Sequence, residues 1–220
     1  EEGPYRRVDL CALWHVHSGL QERGNFMKKD ILIAGVGGQG TIFASNVLCQ
    51  YALERGFNVL GTETIGAAQR GGSVVSHMRI SDQPIYSPLI PPARGDVLLG
   101  MESIEFLRNI KILGKNGYYI LNLYSLPTVN TNLGIDHYPS EDEIVSAVRK
   151  ACERGFIIPA TVKAAELGNT QMTNVVMLGA LAKVDDFFEY DEVKKIVEKL
   201  SPKRFTKGNL TAYEAGHELV

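Results

Sequence analysis

A three-layer α/β/α sandwich on a largely parallel, Rossmann-like sheet is the fold class this sequence predicts, and three observations carry it. At residues 31–40, ILIAGVGGQG, an apolar strand runs straight into a glycine-rich turn and then a helix. Downstream, short β-rich runs alternate with helical stretches, the pattern of parallel strands joined by crossover helices. The run VLLGM at 97–101 is apolar almost throughout, as a strand covered on both faces should be.

Strand one spans 31–34. A helix follows at 41–55, where Ile42, Ala44, Ser45, Leu48, Tyr51 and Ala52 recur at helical spacing and Gly56 supplies the stop. Residues 58–61 form strand two, and SVVSHMRI at 73–80 forms strand three. The turn at 81–84 leads to Ile85 and Tyr86, expected to return as a hairpin partner of strand three. Strand four is 97–101. The helix 103–113 is closed by Gly114, and strand five, 118–123, follows a Lys-Asn-Gly turn. The second half is more helical. Ser140 and Glu143 have capping-box spacing and open a helix over 141–154, stopped by Gly155. Residues 156–159 read as short and extended, and 161–168 as a short helix. An apolar helix follows at 172–183, a charged amphipathic one at 190–200, and a last one at 210–219. No internal repeat or low-complexity linker interrupts 27–220, so this stretch reads as one domain.

Residues 1–26 look different. They hold the only tryptophan, Trp14, and the pair His15 and His17, with no clear period and no apolar stretch long enough for a secretory signal. They read as an expression-derived leader, a misassigned start or a loose arm, with Met27 as the functional start. Composition is that of an ordinary soluble globular protein, 45% hydrophobic and 22% charged. The net charge of −2 marks no nucleic-acid binder. No apolar run approaches the roughly 18–20 residues that span a bilayer. Cys11, Cys49 and Cys152 are too few and too scattered to ligate an iron–sulfur cluster alone. They read as indifferent thiols of a reducing cytoplasm. No nucleophile elbow, Walker lysine or metal-spaced histidine cluster occurs, and His137 and His217 stand alone. Neither catalytic nor metal-ligating residues are therefore assigned.

The glycines carry the functional signal. Gly35, Gly37 and Gly40 fit G-x-G-x-x-G, and Gly38 adds a fourth. Such a turn lets backbone approach a ligand and aims helix N–H groups at an anion. A dinucleotide site also wants an acid about 20 residues on, at the end of strand two. Glu63 is 23 residues past Gly40, slipped beyond the expected strand end, and the chain then enters a second glycine segment that would crowd an adenosine. The alternatives are a plain tight turn, or a backbone-lined site for a phosphate-bearing ligand or a partner's loop. In the second segment Arg70 sits among small residues with no adjacent acid, a setting for a carboxylate or phosphate. Gly35, Gly37, Gly38, Gln39, Gly40, Gln69, Arg70, Gly71 and Gly72 are the expected crevice residues. They should gather at the carboxyl ends of the strands. His77 and Arg79, two apart on one strand face, suit a solvated face or a subunit contact better than an anion patch. A binding architecture without a catalytic engine suggests a subunit of a larger enzyme.

Six segments carry a family resemblance: IAGVGGQGT at 33–41, GAAQRGGSVVSHMRI at 66–80, YSPLIP at 86–91, DVLLGME at 96–102, TNVVMLGALAK at 173–183 and NLTAYEAG at 209–216. Together they resemble the small, gamma-type subunit or domain of 2-oxoacid:ferredoxin oxidoreductases, in particular its indolepyruvate branch. The resemblance spans Met27 to the carboxyl terminus. It implies a complex that decarboxylates a 2-oxoacid oxidatively to an acyl-CoA, using thiamine diphosphate, Mg²⁺, [4Fe–4S] clusters and coenzyme A. Those groups and ferredoxin are then handled with a larger thiamine diphosphate and iron–sulfur partner, this chain binding none of the cofactors alone. The isolated chain is expected to be inactive and able to form a homodimer. The competing expectation is a stand-alone Rossmann-like nucleotide-binding protein.

Overall fold

A computed structural model describes residues 27–66, 71–127, 129–135 and 137–220. The expectations for Cys11, Trp14, His15, His17, Gln69 and Arg70 lie outside the described residues. The strands are β1 (Lys28–Val36), β2 (Asn58–Ile65), β3 (Ser73–Ser81), β4 (Gly95–Gly100), β5 (Leu113–Asn122) and β6 (Gly155–Ile158). They form one sheet in the order β2-β3-β1-β4-β5-β6. β1, β4, β5 and β6 pair in parallel. β3 is antiparallel to both neighbours, β1 and β2.

Besides a single helical turn at Val129–Asn132, the helices among the described residues are α1 (Thr41–Glu54), α2 (Ser103–Asn109), α3 (Glu141–Ala151), α4 (Ala160–Glu166), α5 (Thr173–Val184), α6 (Tyr190–Leu200) and α7 (Thr206–Glu218). Strand alternation divides them between the two faces. Ile31, Ile33, Met78, Ile80, Val97 and Leu99 point to one core with α1 and α4–α7. Leu32, Ala34, Leu98 and Leu121 point to the other, with Phe106 of α2 and Ile144 and Val148 of α3. That is the α/β/α sandwich. On the first face α5 and α7 cross backbone to backbone. A Cβ on Gly179 would stand 2.0 Å from the Tyr213 carbonyl oxygen, and one on Gly216 would stand 1.9 Å from that of Val176. No larger residue fits either position.

Several expected boundaries move. β2 continues four residues past Gly61, so Glu63 lies inside the strand. Ile85 and Tyr86 form no strand, because β3 already has β1 and β2 on its two sides. Instead the segment after β3 folds over the second face, where Ile90 N donates to His77 Nδ1 at 3.2 Å and Arg79 Nη1 donates to the Ser87 carbonyl at 3.0 Å. Residues 110–112 leave the expected helix as a 3₁₀ turn, and β5 starts at Leu113. The Ser140–Glu143 capping box is formed as its spacing predicts, but the helix ends at Ala151 rather than 154.

The amino-terminal end of the sheet is knitted by charge. Asp30, fully buried, accepts from Arg79 Nε at 2.8 Å and pairs with Lys28 Nζ at 2.6 Å. Lys29 Nζ pairs with Asp185 at 2.8 Å, and Tyr118 Oη donates to the same carboxylate at 2.6 Å. Burial, and then the Asp185 charge, push the Tyr118 phenol far above its ordinary range. Arg79 thus holds the sheet end together, and the expected solvated face at this residue gives way to an internal ion pair.

Candidate functional site: the glycine crevice

The opposite end of the sheet, at the carboxyl ends of β1, β4 and β5, carries the glycine turn. Gln39 closes the turn on itself. Its backbone N donates to the Val36 carbonyl at 3.1 Å, and its side-chain Oε1 accepts from Val36 N at 2.8 Å. Its Nε2 donates to the Met101 carbonyl at 3.1 Å, just past the end of β4. The Gln39 amide is therefore a clip between two strand ends, turned away from the crevice it was expected to line. Gly40 follows with φ +75° as the residue before α1, and Asn174 Nδ2 donates to its carbonyl at 3.0 Å. A Cβ there would stand 1.9 Å from that same nitrogen. Only glycine satisfies both demands.

The second glycine segment docks on the first. Gly37 N donates to the Gly72 carbonyl at 2.8 Å, and Gly71 N donates back to the Gly37 carbonyl at 3.3 Å. The two segments are one backbone-bonded unit. A crevice of about 470 Å³ opens beside them, lined by Gly37, Gly38, Gly40, Ile42, Ile65 and Val74 among others. A Cβ on Gly38 would meet nothing within 4 Å, so this residue faces open space. α1 begins there with neither a side-chain cap nor an acid in its first turn. Its terminal N–H groups and positive dipole end are left to the crevice. What this wall offers a ligand is backbone, small apolar surface and partial positive charge.

Beneath the turn lies a polar layer that the sequence reading did not single out. Asn122 Nδ2 donates to the Met101 carbonyl and to Thr161 Oγ1, both at 2.8 Å, and Asn122 Oδ1 accepts from Thr161 N at 3.0 Å. Thr173 Oγ1 continues the chain to Thr161 Oγ1 at 3.2 Å. Met101 O thus receives both Gln39 and Asn122. Its signal in the sequence is Thr173-Asn174, a polar pair opening an otherwise apolar helix.

A second cavity, about 350 Å³, sits on the other side of the glycine unit and touches Val36, Gly71 and Ser73. Glu102, 2% exposed, caps α2 by accepting from Glu105 N at 2.8 Å. It also accepts from Leu126 N at 3.3 Å and from the Tyr138 hydroxyl. Burial and then the Glu102 hydrogen bond push the Tyr138 phenol upward, so it stays a donor. Glu105 accepts from Ser73 Oγ at 2.6 Å and pairs with Arg108. Two buried carboxylates thereby fasten Ser73, Leu126, Tyr138 and α2 around this cavity. An acid directly before Ser103 was the legible sign, since a carboxylate is favoured at the positive end of a helix.

The dinucleotide expectation fails on topology. In a Rossmann sheet the acid-bearing second strand lies beside the first. Here antiparallel β3 occupies that place, and Glu63 accepts from Ser45 Oγ of α1 at 3.2 Å instead. No group of three His, Cys, Asp or Glu residues spaced for a metal occurs among the described residues. Cys49 and Cys152 pack against opposite faces of the sheet, so they cannot share a metal. Burial, with the Glu63 charge second, raises the Cys49 thiol to about 11, leaving it protonated at neutral pH. Among the described residues no helix is long and apolar enough to cross a membrane.

The pyruvate ferredoxin/flavodoxin oxidoreductase family model matches residues 30–219. The chain is 35% identical over 192 residues to the indolepyruvate oxidoreductase subunit IorB of Archaeoglobus fulgidus, covering 87% of this chain and 94% of that one. It is 31% identical over 196 residues to the 2-oxoglutarate synthase subunit KorC of Methanothermobacter marburgensis, covering 88% and 97%. Among solved structures, the gamma subunit of a keto/oxoacid ferredoxin oxidoreductase from Geobacter sulfurreducens superimposes with a TM-score of 0.62 at 21% identity, over 86% of this chain and 96% of that one. At that identity the likeness speaks for the fold. The chain belongs to the pyruvate ferredoxin/flavodoxin oxidoreductase family.

Proposed function

We propose that this member of the family is the small subunit of a cytoplasmic 2-oxoacid:ferredoxin oxidoreductase acting on aryl pyruvates such as indolepyruvate. It works with a larger subunit that carries thiamine diphosphate, Mg²⁺ and the [4Fe–4S] clusters and passes electrons to ferredoxin. The observation that carries this reading is the 35% identity, over 87% of this chain, to an indolepyruvate oxidoreductase subunit. It is reinforced by a crevice built of backbone and hydrogen-bonded glycine segments, with no nucleophile–base pair beside it. A [4Fe–4S] cluster needs four cysteine ligands and does not fit a chain with three. The thiamine cofactor supplies the decarboxylation chemistry from the partner.

In this reading Gly37, Gly38, Gly40, Gln69, Arg70, Gly71 and Gly72 face the partner and wall the channel for the acyl group or coenzyme A, whereas Gly35, expected to join them, is buried in β1, where a Cβ would stand 2.8 Å from that of Met101. Gln39 keeps that wall in shape through Val36 and Met101. Excluding water from a reactive carbanion is the contribution such a wall makes to turnover. The test is reconstitution. The chain mixed with its large subunit should reduce ferredoxin when indolepyruvate and coenzyme A are both present, and the chain alone should not. Turnover by the lone chain, or tight NAD(H) binding to it, would overturn the reading.

A further inference from the structure

The two edges of the sheet are treated very differently. β6, one edge, is four residues long. β2, the other, is eight residues long and pairs with β3 in an unbroken register from Asn58 to Ile65. β2 carries no lysine, arginine or proline and no bulge, and its one charge, Glu63, lies on the α1 face, where it accepts from Ser45 Oγ. Its outward side leaves a row of backbone donors and acceptors without a strand neighbour among the described residues. An extended strand is the chemistry that such an edge recognises.

The side chains say which strand. Val59, Gly61, Glu63 and Ile65 share the α1 face, and Leu60, Thr62 and Thr64 share the other, as their pairing with β3 fixes. A two-fold axis perpendicular to the sheet keeps each face on its own side, so it can pass only through a residue of β2. Centred on Glu63 it would oppose two carboxylates. Centred on Gly61 it would set Glu63 against Val59 and leave Ile65 beyond the strand. Centred on Thr62, it opposes Thr62 to Thr62, Leu60 to Thr64, Gly61 to Glu63 and Val59 to Ile65. That register has no like-charge pair and covers Ile65, which is 52% exposed in the single chain. Threonine pairs and β-branched pairs are favourable cross-strand neighbours. The strand is complementary to itself.

We propose that β2 is the contact between two copies of this chain, an antiparallel β2–β2 pairing centred on Thr62 that makes one continuous sheet across the dimer. This holds whatever the substrate of the complex, and because Ile65 also lines the glycine crevice, the pairing would set Val59 of the second copy beside the crevice rim.

Sedimentation of the full chain should give twice the chain mass at micromolar concentration. Thr62→Cys should form an interchain disulfide on mild oxidation, because residues directly opposed in an antiparallel pair lie within disulfide reach. Leu60→Cys, four residues out of register with its own copy, should not exceed the background of the unmodified chain. Thr62→Lys should raise the dissociation constant at least tenfold by setting two ammonium groups face to face, while Thr62→Val should leave the dimer intact and report that the edge still folds. A monomer at 100-micromolar concentration, a dimer indifferent to Thr62→Lys, or cross-linking at Leu60→Cys as strong as at Thr62→Cys would overturn the proposal. So would a Thr62→Cys disulfide to the large subunit in the reconstituted complex, since that would make the partner the occupant of the edge.

Discussion

The two ends of the sheet are built from the same strands by opposite means. At the amino-terminal end of β1, Lys28, Lys29 and Asp30 meet Arg79 and Asp185 in a dense set of ion pairs. At its carboxyl-terminal end, eight residues on, the chain turns through glycines held by backbone hydrogen bonds and one glutamine amide. The charged end has side chains that satisfy one another and leave little unused. The glycine end leaves a helix terminus uncapped and a crevice beside it. Spare hydrogen-bonding capacity, rather than charge, marks the end to which the proposed function assigns the site.

The sharpest way to break that contrast is at Gly40. Gly40→Ala should cost about 3 kcal/mol: roughly 1–2 for a side chain at positive φ, and the rest for displacing Asn174 from the Gly40 carbonyl. Gly38→Ala meets only open space, so it should cost about 1 kcal/mol from the backbone alone. Urea denaturation of both variants measures the gap. Equal losses would mean that Asn174 does not anchor the turn.

The charged end should respond to the loss of one carboxylate. Asp30→Asn removes the anion between Arg79 and Lys28 and should cost about 2–3 kcal/mol. That is discounted from the fully buried case because the two cations keep 20% and 32% of their side-chain surface in water. Activity per folded complex should be unchanged, since this cluster lies at the far end of the strands from the crevice. A large fall in turnover with normal stability would erase the distinction between the ends.

How much of this was legible in the sequence follows the same division. The glycine turn, the Ser140–Glu143 cap and the bounds of α6 come straight from local rules, because local sequence chemistry decides them. β3 was legible as a strand with His77 and Arg79 on one face, but not its direction. Its alternation of half-buried and buried residues from Ser73 to Ile80 is a mark of antiparallel pairing that an expected βα alternation hid. Arg79 looked solvated because its partner Asp30 lies 49 residues away in sequence. Gln39 looked ligand-directed because nothing local announces that the Met101 carbonyl will lie beside it. Long-range partners, both the hydrogen bonds of Arg79 and Gln39 and the strand neighbours of β3, were the missing part.

A smaller effect should separate binding from folding at the crevice. In the reconstituted complex, Arg70→Ala should lower kcat/KM by about tenfold or more, since a charge-assisted contact is worth roughly 1.5–3 kcal/mol. Its unfolding midpoint should stay close to that of the unchanged chain. An undiminished rate and coenzyme A affinity would remove Arg70 from the crevice wall and leave backbone as its only recognition chemistry.

The smallest effect concerns pH and lies between the two ends, on β3. His77 is half-buried, and its Nδ1 accepts from Ile90 N, so the ring is held neutral. Burial lowers its pKa below the ordinary histidine value of 6.5. Above 6.5 the folded and unfolded chains both carry neutral imidazole. As the pH falls, the unfolded chain protonates first while the folded chain resists, so stability falls until the folded pKa is passed. Protonation would also end the Ile90 hydrogen bond and place a cation two residues from Arg79. His217 shifts in the same direction, by burial and then by Lys183, and adds a background of the same sign. Urea midpoints at pH 7.5 and 5.5 should therefore differ less in His77→Gln than in the unchanged chain, by under about 1 kcal/mol. An equal acid loss in both proteins would assign that loss to other groups and leave the 87–90 segment held by Arg79 and packing alone.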